Sequence, residues 1–298
     1  MKIFIAGATG VIGLPLVRRL CAMGHQVTGM TRKGPGAIRL LELGAKVSYV
    51  DAFDADAVYQ AMAEVAPDVV IDQLTLLPSN PADILTFIPE DTRLHREGGG
   101  NIFKAATALG VTRYILQSRA FYLAGPEGQL TDERADLDIN APGVVGESCR
   151  VMHRYEQDVL DHDGVVLRYG FFYGPNTWYR PDGAIAEQAQ NGEMLIIGEG
   201  NAVWSFIHID DAIEATIAAL NSPAGIFNIV DDDPLAVSDW MPAFARWVNA
   251  AVPKRISLEE GLGLMGEAGV YYHTQLRGAT NEKAKNMLAF SPRPLLWK

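Results

Sequence analysis

The feature that most constrains this chain is its N-terminus, where a short apolar strand runs straight into three regularly spaced glycines. Residues 2–6 read KIFIA and are followed by Gly7, Gly10 and Gly13. At this spacing the first glycine permits a sharp turn, the second lets a pyrophosphate approach the backbone, and the third lets the next helix pack closely on the strand. The free N–H groups at the start of that helix attract an anion. The pattern favours a dinucleotide site over the alternative, a strand–turn–helix whose glycines serve packing alone.

The rest of the first 170 residues alternates between short apolar runs and amphipathic segments. Runs rich in Val and Ile predict strands at 2–6, 26–31, 46–50, 68–74, 112–117 and 164–168. Apolar residues at helical spacing predict helices at 11–23, 35–43, 54–65, 90–109 and 146–162. This alternation is typical of an α/β protein with a Rossmann-type doubly wound parallel sheet, covered by helices on both faces.

The alternation loosens after residue 170, where turn-forming residues become more frequent. The pattern predicts helices at 184–191, 210–221, 238–249, 258–266 and 280–288, and strands at 194–197, 203–209 and 226–230. We therefore predict a dinucleotide-binding Rossmann domain over residues 1–170 and a smaller substrate-binding lobe over residues 171–298, with elements that interleave across this boundary. The lobe is expected at the carboxyl ends of the strands, where open α/β sheets bind ligands.

Composition excludes several classes of protein. Of the 298 residues, 48% are hydrophobic, which is enough for a large core and excludes a disordered chain. The net charge of -11, with no basic stripe, argues against a nucleic-acid partner. No apolar run reaches membrane-spanning length and no leader precedes the first strand, so we predict a cytoplasmic protein with no membrane partner. Cys21 and Cys149 form neither a zinc pattern nor a disulfide framework.

Two acidic segments resemble metal ligands at first sight. Consecutive aspartates point apart, so Asp231–Asp233 is predicted to form an exposed turn. His208, Asp210 and Asp211 lie where a strand gives way to a helix, and acids there suit the positive end of the helix. We therefore predict no metal site.

The residues after the second strand indicate which dinucleotide binds. An acid about 20 positions beyond the glycine turn normally holds the ribose 2′-hydroxyl of NAD, but here the strand ends in Thr31, Arg32 and Lys33. A hydroxyl and two cations suit a 2′-phosphate, so NADP(H) is predicted over NAD(H), with a solvated basic turn as the alternative. Asp51, after the third strand, either accepts a hydrogen bond from the adenine amino group or caps the next helix. The sequence leaves both roles open.

Five segments together resemble the extended short-chain dehydrogenase/reductase superfamily, the group that contains sugar-nucleotide epimerases and dehydratases. They are the glycine turn at Gly7–Gly13, residues 101–114, Gln117–Tyr122, Arg168–Asn176 and Phe206–Ala212. The resemblance spans nearly the whole chain and implies the Rossmann-type fold, a nicotinamide dinucleotide and a small-molecule substrate. Members of this superfamily often dimerise through two helices, so a homodimer is also expected.

The resemblance also implies site residues. The implied cofactor contacts are Gly7, Thr9, Gly10, Val11, Ile12, Gly13, Thr31, Arg32, Lys33, Asp51, Leu74, Gly170, Phe171 and Phe172. Ser118 lies where the family places a hydroxyl that hydrogen-bonds the substrate oxygen, and Tyr122 is the second catalytic candidate.

The chain departs from the family where proton transfer is expected. The family uses a Tyr and a Lys four residues apart on one helix face, so that the ammonium lowers the phenol pKa. This chain has no such pair and has no Lys between Lys104 and Lys254. Aligning Glu156 with the acid that follows the motif puts Ser148 at the Tyr position and Met152 at the Lys position.

Substitutes for the missing pair lie nearby in the sequence. The candidate proton donors are Tyr122, Tyr155, Tyr173 and a water held by Ser118, and the candidate positive charges are Arg119, Arg150 and Arg154. Two further departures precede the fifth strand. His95 stands where the family has Asn, and three glycines at Gly98–Gly100 disfavour a helix. They indicate either close helix packing or close approach of a ligand, and both remain open.

Three functions fit these observations. The first is an NADP(H)-dependent oxidoreductase with a non-standard active site, acting on a small carbonyl or activated alkene. The second is a non-redox enzyme of the epimerase or dehydratase type, and the third is a non-catalytic dinucleotide sensor. Four aromatic residues line a substrate pocket or belong to the core of the second lobe: Trp178, Tyr179, Trp204 and Phe206. A retained Ser118 and the aromatic loop at Tyr169–Tyr173 favour an enclosed small-molecule pocket over a sensor, and the oxidoreductase is the function that we predict.

Overall fold

The computed structural model describes residues 1–32 and 34–298, and they form a parallel sheet with a smaller lobe at one edge. The strands are β1 (Lys2–Ala6), β2 (Gln26–Thr31), β3 (Lys46–Tyr49), β4 (Val69–Asp72), β5 (Arg113–Arg119), β6 (Val165–Tyr169), β7 (Phe171–Tyr173), β8 (Leu195–Ile197), β9 (Val203–Trp204), β10 (Phe206–His208), β11 (Gly225–Ile229), β12 (Leu235–Ala236) and β13 (Lys254–Ile256). The α-helices are α1 (Gly13–Ala22), α2 (Pro35–Glu42), α3 (Ala55–Val65), α4 (Ile84–Arg93), α5 (Gly100–Ala108), α6 (Gly143–Leu160), α7 (Ala184–Gln190), α8 (Ile209–Ala218), α9 (Val237–Trp247), α10 (Leu258–Thr274) and α11 (Glu282–Leu288).

The main sheet has seven strands in the order β11-β6-β5-β4-β1-β2-β3, and every neighbouring pair is parallel. The predicted fold class, a Rossmann-type doubly wound sheet, is therefore confirmed. The chain winds one way from β1 to β3 and the other way from β4 onward, so the order reverses between β1 and β4. A crevice opens at such a reversal, outside the carboxyl ends of the strands, and the glycine turn lies there.

The two faces of the sheet carry separate cores, as the alternation of strand side chains requires. On β1, Ile3 and Ile5 pack with Leu16 and Val17 of α1 on one face. Phe4 and Ala6 pack on the other face, in the core that includes the buried side chains of α3, α5 and α6. Burial on both faces explains why these strands are almost continuously apolar.

Helical backbone extends unbroken from Ile84 to Ala108, because a π-helical segment at Leu94–Gly99 joins α4 to α5. For two of the three glycines, Gly98 and Gly99, close packing is the explanation, whereas a Cβ at Gly100 would meet nothing within 4 Å. A Cβ added at Gly98 would lie 2.9 Å from the Cβ of Ala52, and one at Gly99 would lie 2.7 Å from the Tyr155 ring. The predicted helix started at residue 90, six residues later than the first residue of α4.

The smaller lobe contains three two-stranded ladders, β10 with β7, β12 with β9 and β13 with β8. Its core is aromatic: Tyr179, Phe206 and Trp240 are buried against one another, so Tyr179 and Phe206 are core residues. The chain also returns to the main sheet at β11, which pairs with β6. Helix α10 continues to Thr274, past the end predicted at residue 266, after a break at Gly266, whose φ is +66°.

The acidic run at Asp231–Asp233 differs from the exposed turn that we predicted, and for two of its residues that prediction is wrong. Asp231 and Asp233 are buried. Asp233 accepts the N–H of Leu295 at 3.2 Å and pairs with the Lys298 ammonium, so the last residues of the chain cover the turn. Burial and the neighbouring aspartates raise the pKa of Asp231 to about 7.

The described residues contain neither a membrane-spanning helix nor a cluster of metal ligands. None of the helices within residues 1–32 and 34–298 combines the length and apolar character needed to cross a bilayer. In the same ranges, no three His, Cys, Asp or Glu side chains come together in a way that would hold a metal ion.

Candidate active site

The glycine turn at the end of β1 shows which glycines the fold itself requires. Gly7 has a φ of +72°, and a Cβ there would overlap the backbone of Gln73. A Cβ at Gly13 would overlap the carbonyl oxygen of Gly7, so close packing of α1 explains this glycine too. Gly10 is different, because its Cβ would lie 3.3 Å from Gly7 and the residue is exposed. The position that the fold does not explain is the one expected to face a pyrophosphate.

The other residues of the turn differ in what they offer a ligand. Thr9 and Val11 are exposed, whereas Ile12 is buried in the core beneath the turn. Ile12 therefore presents only its backbone to a ligand. The Thr9 side chain also packs on the start of α2, since a Cβ at Gly36 would lie 2.6 Å from its methyl group.

The end of β2 carries the residues expected to select the dinucleotide. Thr31 donates its hydroxyl to the carbonyl of Arg32 at 3.1 Å. Arg32 is exposed, and its guanidinium has no acidic partner within the part of the chain that the structure describes. Lys33 lies outside the described residues. The arrangement leaves Arg32 free to meet an anion from solvent.

Asp51 had two open roles, and the structure assigns the cap to another residue. Asp54 is the N-cap of α3, accepting the N–H of Ala57 at 3.0 Å. Asp51 is exposed and accepts the N–H of Phe53 at 3.1 Å through one carboxylate oxygen. Its second oxygen stays open to a ligand at the edge of the sheet.

The remaining predicted cofactor residues follow β4 and β6 at the same edge. Leu74 is half-buried, and its N–H donates to the Asp72 carboxylate at 2.9 Å. Gly170 is a close approach, because a Cβ there would lie 2.5 Å from the carbonyl oxygen of Ser205. Phe171 and Phe172 are half-buried. Since the strands are parallel, all these residues border one crevice.

Ser118 is positioned differently from the role implied by the family resemblance. It is buried, and its hydroxyl donates to Glu156 at 2.5 Å. Glu156 in turn accepts two N–H bonds from Arg168, at 2.9 and 2.5 Å, and both charged residues are fully buried. Arg168 also donates to the carbonyl of Ala135 at 2.7 Å. The Ser118 proton is therefore used inside a buried ion-pair network that joins β5, α6 and β6.

The tyrosines considered as proton donors are poor acids in this structure. The Tyr155 hydroxyl is buried among Asp72, Tyr114 and the carbonyl of Gly99, with contacts of 2.6–2.8 Å. Tyr122 hydrogen-bonds the hydroxyl of Tyr272. Burial raises the pKa of Tyr122 and of Tyr155 well above its ordinary value.

Tyr173 and Tyr272 are also poorly suited to donate a proton to a substrate. Tyr173 donates to the carbonyl of Pro294 at 3.3 Å, away from Arg119 and Ser148. Burial raises the pKa of Tyr272 to about 12. Among the residues that the structure describes, no lysine is a charge that lowers the pKa of these hydroxyls. Met152, at the aligned Lys position, is buried in the core.

Arg119, Asp91 and His95 form a cluster at the carboxyl end of β5, and the sequence does not indicate that they meet. Arg119, the last residue of β5, donates to the Ser148 hydroxyl at 2.5 Å and to the Asp91 carboxylate at 2.6 Å. Asp91 also accepts the N–H of Leu76 at 2.7 Å, and the His95 ring lies 3.4 Å from it. Burial by itself would raise the pKa of Asp91, but the charges of His95 and Arg119 outweigh it and lower this pKa.

Aromatic rings line the lobe side of the same region. Phe171 stacks on Phe121 at 4.2 Å and on Trp204 at 4.0 Å, with interplanar angles of 20° and 18°. Tyr272 packs on Tyr122 with ring centroids 5.8 Å apart. Phe171 is covered on both faces by Phe121 and Trp204, and the partly buried rings of Phe121 and Tyr272 beside it form what we call the aromatic wall.

Comparison with known proteins identifies the family. The model of the NAD dependent epimerase/dehydratase family matches residues 3–229. A 3-diazoavenalumate denitrifying reductase from a Streptomyces species is 36% identical, over 100% of this chain and 98% of that protein. The dTDP-4-dehydro-6-deoxy-D-allose reductase of Streptomyces bikiniensis is 21% identical, over 98% of this chain and 92% of that protein.

Solved structures show the same fold. The UDP-glucose 4-epimerase of Thermotoga maritima, in complex with UDP-glucose, superimposes with a TM-score of 0.76 at 20% identity, over 99% of this chain and 95% of that chain. The UDP-glucose 4-epimerase of Thermus thermophilus, in complex with NAD, gives a TM-score of 0.74 at 22% identity, over 100% and 96%.

The chain belongs to the NAD dependent epimerase/dehydratase family. The predicted family, the extended short-chain dehydrogenase/reductases, and the predicted class of protein, an oxidoreductase enzyme, are thereby confirmed. The residue roles and the choice between NADP and NAD stay predictions.

The Ser118 network makes a prediction about stability. Ser118→Ala removes a hydrogen bond to a buried carboxylate, so we expect the free energy of unfolding to fall by about 1.5–3 kcal/mol in chemical denaturation. Ser222→Ala is the matched control, because the buried Ser222 hydroxyl donates only to neighbouring backbone carbonyls, and it is expected to lose about 0.5–1.5 kcal/mol. A Ser118→Ala protein with wild-type stability and greatly reduced turnover would show instead that this hydroxyl acts on the substrate.

Proposed function

We propose that this protein is an NADPH-dependent reductase that transfers hydride to a small planar aromatic substrate whose reduction needs no proton from the protein. The observation that carries the proposal is the replacement of the family's proton-donating pair. Ser148 is bound by Arg119, and the aligned Lys position holds the buried Met152. When bound, the nicotinamide supplies the hydride.

The glycine turn supports a dinucleotide, and the end of β2 supports NADPH. The exposed Gly10 leaves room for a pyrophosphate where α1 begins, and a side chain there would fill that room. Arg32 is exposed and unpaired among the described residues, and no acid follows β2 to repel a 2′-phosphate. The family description names NAD, and NADP preference is the finer part of this proposal.

The chemistry of the substrate follows from the missing proton donor. A ketone that accepts a hydride becomes an alkoxide and must be protonated at once, but the buried tyrosines have raised pKa values. An activated alkene instead yields a stabilised anion that water can protonate later. An aryl diazonium carbon that accepts a hydride loses N2 together with the C–N electron pair, and the product is the arene.

One relative supports the diazo class directly. The 36% identical Streptomyces protein is named a denitrifying reductase of a diazo compound. We therefore propose activated alkenes and aryl diazo compounds as substrates, in preference to simple ketones. The partly exposed rings of Phe121 and Tyr272 supply apolar ring surface for such a substrate.

The two-domain division at residue 170, the homodimer and the cytoplasmic location stay predictions.

Cofactor choice is tested at Arg32. We expect Arg32→Ala to weaken NADPH binding about tenfold or more, since a lost charged hydrogen bond costs about 1.5–3 kcal/mol, and to leave NADH binding unchanged. Isothermal titration calorimetry measures both. The matched control is Arg18→Ala, which removes an exposed arginine from α1. Equal wild-type affinities for NADPH and NADH would contradict the proposed preference.

The reaction is tested with three matched aromatic substrates: an aryl enone, an aryl diazonium salt and acetophenone. We expect NADPH oxidation at 340 nm with the enone or the diazonium salt and none with acetophenone. Gly10→Val serves as the control for uncatalysed reduction, because its side chain blocks the place expected for the pyrophosphate. Turnover of acetophenone alone, or tight NADPH binding without oxidation by any of the three, would contradict the proposal.

A further inference from the structure

The role of Arg119 is not explained by packing alone. Its side chain is 14% exposed at the carboxyl end of β5. A guanidinium has five N–H donors, and this one uses two of them within the described part of the chain, on Ser148 and Asp91. The other three have no hydrogen-bond partner among the described residues.

Aromatic rings adjoin the Arg119 guanidinium. The guanidinium carbon lies 6.0 Å from the centre of the Tyr122 ring, and Tyr122 packs against Tyr272. The other charged or titratable groups around it are Asp91, His95 and the buried thiol of Cys149. The free N–H donors of Arg119 therefore adjoin the surface that we assign to the ring of the substrate.

We propose that Arg119 binds a planar oxyanion, a carboxylate or a phenolate, carried by the aromatic substrate, and that Asp91 is a positioning residue for it. This inference rests on the proposed function, which places an aromatic substrate against the wall. A guanidinium binds a carboxylate through two parallel hydrogen bonds, which a lysine ammonium cannot do, and it donates to the single oxygen of a phenolate. The Ser148 hydroxyl stands beside it as another hydrogen-bonding group.

Asp91 suits the positioning role because it is itself fixed. It is buried, and the N–H of Leu76 and the side chains of Arg119 and His95 hold both of its oxygens. A buried arginine without a partner would be costly in the empty protein, and Asp91 removes that cost through one hydrogen bond from Nη2. Ser148 accepts one from Nη1, so three N–H donors remain for the substrate.

The test uses three probes that differ in one group each: trans-4-hydroxycinnamate, its methyl ester and 4-methoxycinnamate. Their dissociation constants are measured by calorimetry with the wild-type protein, with and without NADP⁺. If Arg119 binds the carboxylate, the ester binds about tenfold to hundredfold more weakly than the two acids. If it binds the phenolate, the methoxy compound is the weak one.

Variants assign the preference to Arg119. Arg119→Met removes the arginine partner of Asp91. The double variant Arg119→Met/Asp91→Asn is therefore made alongside it, because it removes both charges together. We expect the preference among the three probes to disappear in both, while the weakest probe binds as it does to the wild type. Arg150→Met is the matched control, since Arg150 is exposed on α6 and donates only to the carbonyl of Ile139. It is expected to keep the preference.

The outcomes separate this inference from the proposed function. Equal wild-type affinity for all three probes, or a preference that survives in the double variant, overturns the role of Arg119 and leaves the aromatic substrate class standing. Binding of none of the three probes contradicts the aromatic substrate class and this inference with it.

Discussion

The buried ion pair between Glu156 and Arg168 fixes the helix on which the site depends. Both residues are shielded from water, so each charge is satisfied only by the other and by Ser118 and Ala135. Removing one partner of such a pair typically costs about 3–5 kcal/mol, because it leaves a buried charge alone. Through Glu156 the pair sets the register of α6 against β5 and β6, and this register places Ser148, two turns earlier, against Arg119.

Most of the sheet was predictable because burial on both faces demands runs of apolar residues. The six predicted strands of the first 170 residues all occur, two with the predicted ends and four with ends that differ by at most two residues. The failures have physical reasons. The predicted start of the helix at residue 90 missed a turn and a half of α4 that contains Pro89, and Pro is unfavourable inside a helix. Asp231 and Asp233 were placed in solvent because their burial depends on the far end of the chain.

The candidate site likewise contains residues that the sequence could assign and residues that it could not. Gly7 and Gly13 could be assigned because a local turn demands them, and their geometry agrees with that assignment. Arg119, Asp91 and Ser148 come from three separate segments, so no spacing in the sequence shows that they meet. The role predicted for Ser118 followed the family resemblance. The residue that accepts its hydrogen bond, Glu156, is instead set by the register of α6. The family itself followed from the motifs, and the match over residues 3–229 confirms it.

The central claim is that hydride moves directly from a dinucleotide to an electrophilic carbon of the substrate. The most direct measurement is mass spectrometry of the product formed with NADPH that carries deuterium at both C4 positions, in ordinary water. The account predicts one deuterium per product molecule, on the carbon that was electrophilic. A product without deuterium, formed while the cofactor keeps its label, would contradict it.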